Sequence, residues 1–123
     1  HMNTGILKIG DNVEIRILQQ VEQGWKTGDR PDSYASKIQN ILDNGDIEID
    51  MPTRGGKNAS LPSGVRLEFL FYTHVGIYRC VAHIKNRYIR ENLYLLLIAR
   101  YKSCTHLNSL VSESDYYSLL CTP

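Results

Sequence analysis

Apolar and polar residues alternate most clearly in the middle of the chain. Three stretches there are rich in Val, Ile, Phe and Tyr and are joined by short polar connectors: Gly64–Thr73, Ile77–Tyr88 and Asn92–Arg100. Runs of this composition, separated by brief turns, predict an antiparallel meander of three strands. Because most of the large apolar residues of the chain lie in these stretches, the meander is expected to carry the core.

The preceding part of the chain predicts three further strands. Alternation in Asn12–Leu18 indicates a half-buried strand, and Tyr34–Leu42 and residues 47–51 are predicted as the second and third strands. The Asn44-Gly45 pair between the last two favours a tight hairpin. Gln19–Ser33 is polar and aperiodic, which predicts a long surface loop or a loop with a short hairpin.

Six antiparallel strands with one apolar lining predict an all-β fold, a small closed or nearly closed barrel that protects its strand edges. His1 and Met2 are interpreted as the remnant of an expression tag, and residues 3–100 as the β-barrel domain. Residues 101–123 are predicted to form a C-terminal tail, either a short helix or an extended linker. A chain of 123 residues is expected to hold one such domain.

Composition narrows the classes of function. A net charge of +1 is too neutral to steer a polyanion, so we expect no nucleic-acid partner. A modest basic patch around one strand end keeps that alternative open, with binding that would depend strongly on salt. The patch comprises Arg79, Lys85, Arg87 and Arg90, with Tyr88 among them. The chain has no apolar run near 18 residues, which argues against a membrane span. Three irregularly spaced cysteines favour a reducing, cytoplasmic compartment.

The chain lacks sequence motifs that are typical of catalytic, nucleotide-binding and metal sites. There is no GxSxG, HExxH or GxGxxG sequence, and Gly55-Gly56-Lys57 lacks the spacing of a phosphate-binding loop. The histidines His74, His83 and His106 lie far apart in the sequence, so ligand spacing for a metal is absent. The sequence therefore predicts no enzymatic activity, no metal site and no cofactor.

Apolar residues on strand faces that the barrel lining does not need are the better candidates for function. This set is Leu70, Tyr72, Tyr94, Leu96 and Ile98. If exposed, these side chains would form a contact surface for a partner domain or a second subunit. Alternatively, the long loop or the tail covers them. Trp25 in the long loop is expected to cap the core, with an interface as the alternative.

A series of short motifs, in order along the chain, resembles one known family. The motifs are Leu7-Lys-Ile-Gly-Asp11, Tyr34-Ala-Ser-Lys-Ile38, Met51-Pro52, Leu61-Pro-Ser-Gly64, Phe71-Tyr-Thr73, Gly76-Ile-Tyr-Arg-Cys80 and Asn92-Leu-Tyr-Leu-Leu96. Over about residues 6–121 the chain resembles the N-terminal domain of flagellar-brake (YcgR-like) PilZ proteins. The resemblance implies a six-stranded antiparallel barrel related to the flavin-binding split barrel. A PilZ domain that binds cyclic di-GMP would follow it, in a protein that slows flagellar motility or is another cyclic di-GMP effector.

The chain departs from this family where the family carries an arginine-rich segment. Ser114 and Ser118 stand at the two positions of the RxxxR pair, and Glu113 replaces the preceding arginine. In the family these arginines bind guanine and phosphate, which requires planar and permanently charged donors. Serine lacks both properties, and Glu113 would repel phosphates. We therefore predict that this chain does not bind cyclic di-GMP.

Two hypotheses follow for the function. The first is a non-catalytic protein-interaction domain of a flagellar-brake-like cyclic di-GMP effector, located in the cytoplasm. Its partner would be a PilZ domain, a flagellar motor or stator component, or a second copy of itself. The alternative is a flavin- or small-ligand-binding split barrel, which absorbance of a bound flavin in the purified protein would reveal.

Overall fold

The structure, a computed structural model, describes residues 5–99 and 103–107. In these residues the chain forms ten strands and one helix. Their order is β1 (Asn12–Ile17), α1 (Leu18–Thr27), β2 (Tyr34–Ile41), β3 (Ile47–Asp50), β4 (Thr53–Arg54), β5 (Lys57–Asn58), β6 (Leu67–Thr73), β7 (Gly76–Ala82), β8 (Ile84–Arg90), β9 (Leu93–Ile98) and β10 (Ser103–His106). The predicted all-β antiparallel fold is confirmed.

The strands form one sheet in the order β10-β7-β6-β1-β2-β3-β9-β8, and the small β4–β5 hairpin is attached to β2. The sheet does not close into the predicted six-stranded barrel, because β8 and β10 end the order without pairing with each other. The predicted fifth strand, Ile77–Tyr88, is in fact two strands that separate at His83. β7 pairs with β6, whereas β8 pairs with β9. One stretch of chain therefore supplies strands near both ends of the sheet.

A single core joins the two parts of the sheet. Its side chains come from β1, β2, β3, β6, β7, β8, β9 and β10, with Leu7 and Leu61 added from loops. Ile15 and Phe69 pair across β1 and β6, and Ile49 and Leu96 pair across β3 and β9; each of these four is at most 1% exposed. Full burial of one such side chain stabilises the fold by about 1.5–3 kcal/mol. The predicted meander thus supplies much of the core.

Helix α1 lies where a surface loop or hairpin was predicted. Only Leu18 and Val21 are buried, so the apolar face is too short to give a recognisable period. The helix ends at Gly28, which has φ +81° and donates its N–H to the carbonyl of Gly24 at 2.7 Å. This left-handed glycine is a common helix terminator. A Cβ at Gly24 would lie 2.3 Å from the carbonyl oxygen of Asp29, so the returning chain requires glycine there.

β10 lies within the segment that was predicted to be a helix or a linker. Ser103–His106 pairs with β7 in antiparallel register, so these four residues are a strand and the sheet extends past residue 100. A four-residue strand is too short to show a clear alternation of apolar and polar residues. Its pairing partner lies more than twenty residues earlier in the chain. The remaining tail beyond residue 107 lies outside the described residues.

Candidate interaction surfaces

The five apolar residues predicted as a contact surface do not form one. Leu96 and Ile98 belong to the core, and Leu70 is only 7% exposed. Tyr72 and Tyr94 are exposed, at 40% and 59%, but they lie on different strands that do not pair with each other. Because β9 is apolar on both faces, its sequence does not show which face points inward. Of the two alternatives for this set, exposure thus fails for Leu70, Leu96 and Ile98, which are buried.

Trp25 does not cap the core, because 72% of its side chain is exposed. It lines an open groove together with Leu107, which is 49% exposed. The other lining residues are Arg16, Val21, Gly24, Asp29, Arg30, Pro31, Glu68 and Arg79. We call this feature the Trp25 groove. An exposed tryptophan beside a second exposed apolar side chain is the kind of surface that binds partners.

Helix geometry explains the position of Trp25. Val21 lies four residues earlier, and residues four apart share one face of a helix. Val21 is buried, and Trp25 lies about one helical turn further along the same face. There it is at the edge of the buried area and remains exposed. In the sequence, the spacings Leu18–Val21 and Val21–Trp25 and the following Gly28 are compatible with this arrangement, but three apolar positions are too few to establish a helical period.

A buried ion cluster lies in the same groove. The Glu68 carboxylate is 1% exposed and accepts from Arg16 through Oε1 and from Arg79 through Oε2, each at 2.5 Å. The two arginines are each about a quarter exposed. Charge-assisted hydrogen bonds of this kind fix the orientation of both partners. The cluster therefore gives the groove a rigid wall with one excess positive charge.

Exposed apolar residues also gather at the tip of the β8–β9 hairpin. Ile89 and Tyr94 pair directly across the two strands and are each 59% exposed, and Leu93 is 48% exposed. Glu91 and Asn92 form the connection, with φ +53° and +67°. Two consecutive residues with positive φ are typical of a type I′ turn, which joins strands tightly. Ile89 and Tyr94 are therefore an exposed apolar pair on one face of the hairpin, and Leu93, which pairs with Arg90, lies on the other face. Periodicity alone did not indicate this exposure.

The opposite face of this hairpin is fixed by a second buried carboxylate. Glu48 is 2% exposed, and Arg90 donates to both of its carboxylate oxygens, at 2.5 Å each. The Tyr88 hydroxyl donates to the same carboxylate. Hydrogen bonding from Arg90 holds the pKa of Glu48 below its ordinary value. Burial, together with the hydrogen bond to Glu48, raises the pKa of Tyr88 to about 12.

The basic patch predicted around β8 is largely engaged within the fold. Lys85 pairs with Asp46 at 2.7 Å, Arg90 pairs with Glu48, and Arg79 pairs with Glu68 on β6. Arg87 instead donates to the backbone carbonyl of Leu61. Most of these cations therefore already have carboxylate partners, which weakens the nucleic-acid alternative.

Within residues 5–99 and 103–107, no group of three His, Cys, Asp or Glu side chains could hold a metal ion. In the same part of the chain, no helix is long and apolar enough to cross a membrane. Glu113, Ser114 and Ser118, the positions predicted to abolish cyclic di-GMP binding, lie outside the described residues.

Two comparisons relate this chain to known proteins. A family model described as flagellar protein YcgR (PilZNR) matches residues 8–100. Among solved structures, the Bacillus subtilis inhibitor of motility MotI/DgrA has the same fold, with a TM-score of 0.64 at 16% sequence identity. That match covers 83% of this chain and 46% of the MotI chain, so this chain spans about half the length of that protein. No curated protein matches the sequence.

Proposed function

The chain belongs to the YcgR family of flagellar proteins, and from that premise we propose that it is a non-catalytic protein-binding domain of a motility-regulating cyclic di-GMP effector. The proposed partner is a protein component of the flagellar motor or its stator, met in the cytoplasm. A PilZ domain or a second copy of the chain would be alternative occupants of the same surface.

The Trp25 groove is the observation that carries this proposal. Tryptophan is enriched among residues that dominate binding energies. An acidic side chain of a partner seated in the groove would also be attracted by the excess positive charge of the Arg16–Glu68–Arg79 cluster.

Motility of a flagellated host that expresses the chain tests the proposal. We expect the wild-type chain to reduce the diameter of swimming zones in soft agar, and Trp25→Ala to abolish the reduction. Ile9→Ala is the matched control, because Ile9 is 66% exposed and does not line the Trp25 groove. It should slow swimming as the wild type does. Equal slowing by Trp25→Ala and the wild type, at equal protein levels, would refute the assignment of the groove.

The second part of the proposal is that the chain binds no cyclic di-GMP, because Ser114, Ser118 and Glu113 replace the arginines that the family resemblance requires. Titration calorimetry of the purified chain with cyclic di-GMP should give no binding heat. A dissociation constant in the low micromolar range would overturn this part and leave the Trp25 groove untouched.

A further inference from the structure

β8 lies at one end of the sheet, and its outer side is open. It pairs with β9 on one side, and no strand of the described residues pairs with the other. Open strand edges present unpaired N–H and C=O groups, and natural proteins usually shield them with charges, bulges or covering segments. How far β8 is shielded decides whether it can accept a further strand.

Turn geometry identifies the backbone groups that face outward. In a hairpin with a two-residue turn, the residues that flank the turn are a hydrogen-bonded pair, here Arg90 and Leu93. Hydrogen-bonded pairs alternate along the ladder, so Tyr88 and Arg90 direct their backbone groups toward β9. Arg87 and Ile89 consequently direct theirs toward the open edge.

In the described part of the chain, the first half of this edge is shielded and the second half is not. A register shift between Ile84 and Asn86 bulges the strand at Lys85. The Asn86 side chain then accepts the N–H of Arg87 at 2.8 Å through Oδ1. Among the residues that the structure describes, nothing of this kind covers the second half, where the N–H and C=O of Ile89 and the C=O of Arg87 face outward. An Ile side chain that is 59% exposed stands beside them.

The charge of β8 indicates which kind of segment could pair with this edge. β8 carries no acidic residue, and of its three cations Lys85 and Arg90 already pair with Asp46 and Glu48. Arg87 donates to a neutral carbonyl rather than to a carboxylate. β8 of a second copy would bring no carboxylate of its own to Arg87, whereas an acidic segment would. We propose that the Arg87–Arg90 edge of β8 binds an extended acidic segment of a protein partner as an added strand. Its aliphatic residues would pack on Ile89, and a carboxylate would pair with Arg87.

This edge is separate from the Trp25 groove, so the inference goes beyond the proposed function and is tested without it. The probes are two six-residue peptides, one with two valines between two pairs of glutamates and one with lysines in place of the glutamates. Side chains two residues apart share a face of a strand, so each peptide can present a charged and an aliphatic side chain to Arg87 and Ile89 together. Titration of the isotope-labelled chain, followed by NMR amide shifts, detects weak binding. We expect the acidic peptide to shift the amide of Ile89 and to slow its hydrogen exchange, and the basic peptide to do neither.

Ile89→Pro removes the N–H that the added strand would use. Proline is tolerated where an edge N–H faces outward, and the N–H of Ile89 has no role in pairing with β9. The variant should keep the dispersed spectrum of the folded protein and bind the acidic peptide about tenfold more weakly or not at all. Ile89→Ala, which keeps the N–H, is the matched control and should lose less affinity. Should Ile89→Pro fail to fold, Arg87→Glu serves instead, because it should reverse the preference from the acidic to the basic peptide.

Trp25→Ala should bind the acidic peptide as the wild type does, which separates this site from the groove. Equal binding of both peptides, or unchanged binding by Ile89→Pro or Arg87→Glu, would overturn the proposal. So would a dimer, seen by sedimentation, that Ile89→Pro dissociates, because the occupant of the edge would then be a second copy.

Discussion

Cys80 lies directly opposite Cys104 across the β7–β10 ladder, and both side chains are at most 1% exposed. The tight turn that pairs Thr73 with Gly76 makes Cys80 a hydrogen-bonded partner of β6 rather than of β10. The cysteines therefore form a non-hydrogen-bonded pair, in which Cα atoms are about 4.5 Å apart. This separation is compatible with a disulfide.

We predict that a thiol oxidant such as diamide joins Cys80 to Cys104 within one molecule. Because both thiols are buried, the reaction should be slow in buffer. It should be faster in moderate urea, where we expect β10 to separate from β7. Mass spectrometry of proteolytic fragments identifies the linked peptides. Cys121→Ser is the control that removes the third thiol and should form the same bond. Recovery of both thiols in reduced form after treatment in urea would contradict the prediction.

Replacing Glu68 tests the buried ion cluster. Glu68→Gln keeps the shape of the side chain but leaves Arg16 and Arg79 without their counter-charge. Breaking a buried ion pair is costly, but each arginine is partly exposed, so we expect the free energy of unfolding to fall by about 2 kcal/mol. Urea denaturation monitored by circular dichroism measures it.

Glu22→Gln is the matched control, because Glu22 is an exposed residue of α1. Exposed substitutions of this kind usually change stability by less than about 0.5 kcal/mol. If the two variants lost equal stability, the Arg16–Glu68–Arg79 cluster would contribute nothing measurable to the fold.

The strands could be predicted from the sequence because apolar and polar residues alternate within each short strand. Val13 and Ile15 in β1, and Leu67 and Phe69 in β6, show their buried face within a few residues. Helix α1 could not be predicted from the sequence. It is stabilised by the packing of two apolar residues, which are too few to give a recognisable helical pattern.

The buried carboxylates could not be recognised in the sequence, for a different reason. Glu48 and Glu68 alternate with apolar residues, a pattern that is typical of a strand with a solvated polar face. Each is buried by arginines distant in the sequence: Arg90 lies 42 residues from Glu48, and Arg16 lies 52 residues from Glu68. A single sequence contains no signal for such pairs, since pairing is set by strand order. The exposure of Trp25 depends in turn on α1, so it could not be predicted before the helix was known.

Acid should destabilise the protein in part through Glu48. Its pKa is lower in the fold than in the unfolded chain because Arg90 donates two hydrogen bonds to the carboxylate. The resulting stabilisation is complete above the unfolded pKa of about 4.3 and is lost as the pH falls through the lower folded value. We expect Arg90→Met to flatten the fall in unfolding free energy between neutral and acidic pH.

Urea denaturation at a series of pH values measures this slope. Arg87→Met is the matched control, because Arg87 bonds to a carbonyl rather than to Glu48, and it should keep the wild-type pH dependence. Identical slopes for Arg90→Met and the wild type would show that Arg90 does not lower the pKa of Glu48.

A last prediction concerns the turn that docks β10. Gly76 has φ +123°, and a Cβ there would lie 2.4 Å from Nε2 of His106. The His106 ring cannot move away freely, because it stacks on Tyr78 at 4.3 Å and its Nε2 lies 2.9 Å from the carbonyl oxygen of Val75. Gly76→Ala should therefore lower the unfolding free energy by about 1–3 kcal/mol through backbone strain and the loss of this packing.

Two comparison variants separate these causes. Gly10 has φ +94° but open space around its Cβ position, so Gly10→Ala measures the cost of a positive φ alone. Gly76→Ala introduced into His106→Ala should cost less than in the wild type, because the ring that a Cβ would strike is gone; the coupling energy of this double-mutant cycle measures the contact. If the cycle shows no coupling, His106 does not constrain the turn. If Gly76→Ala also costs no more than Gly10→Ala, backbone strain alone accounts for the requirement for glycine.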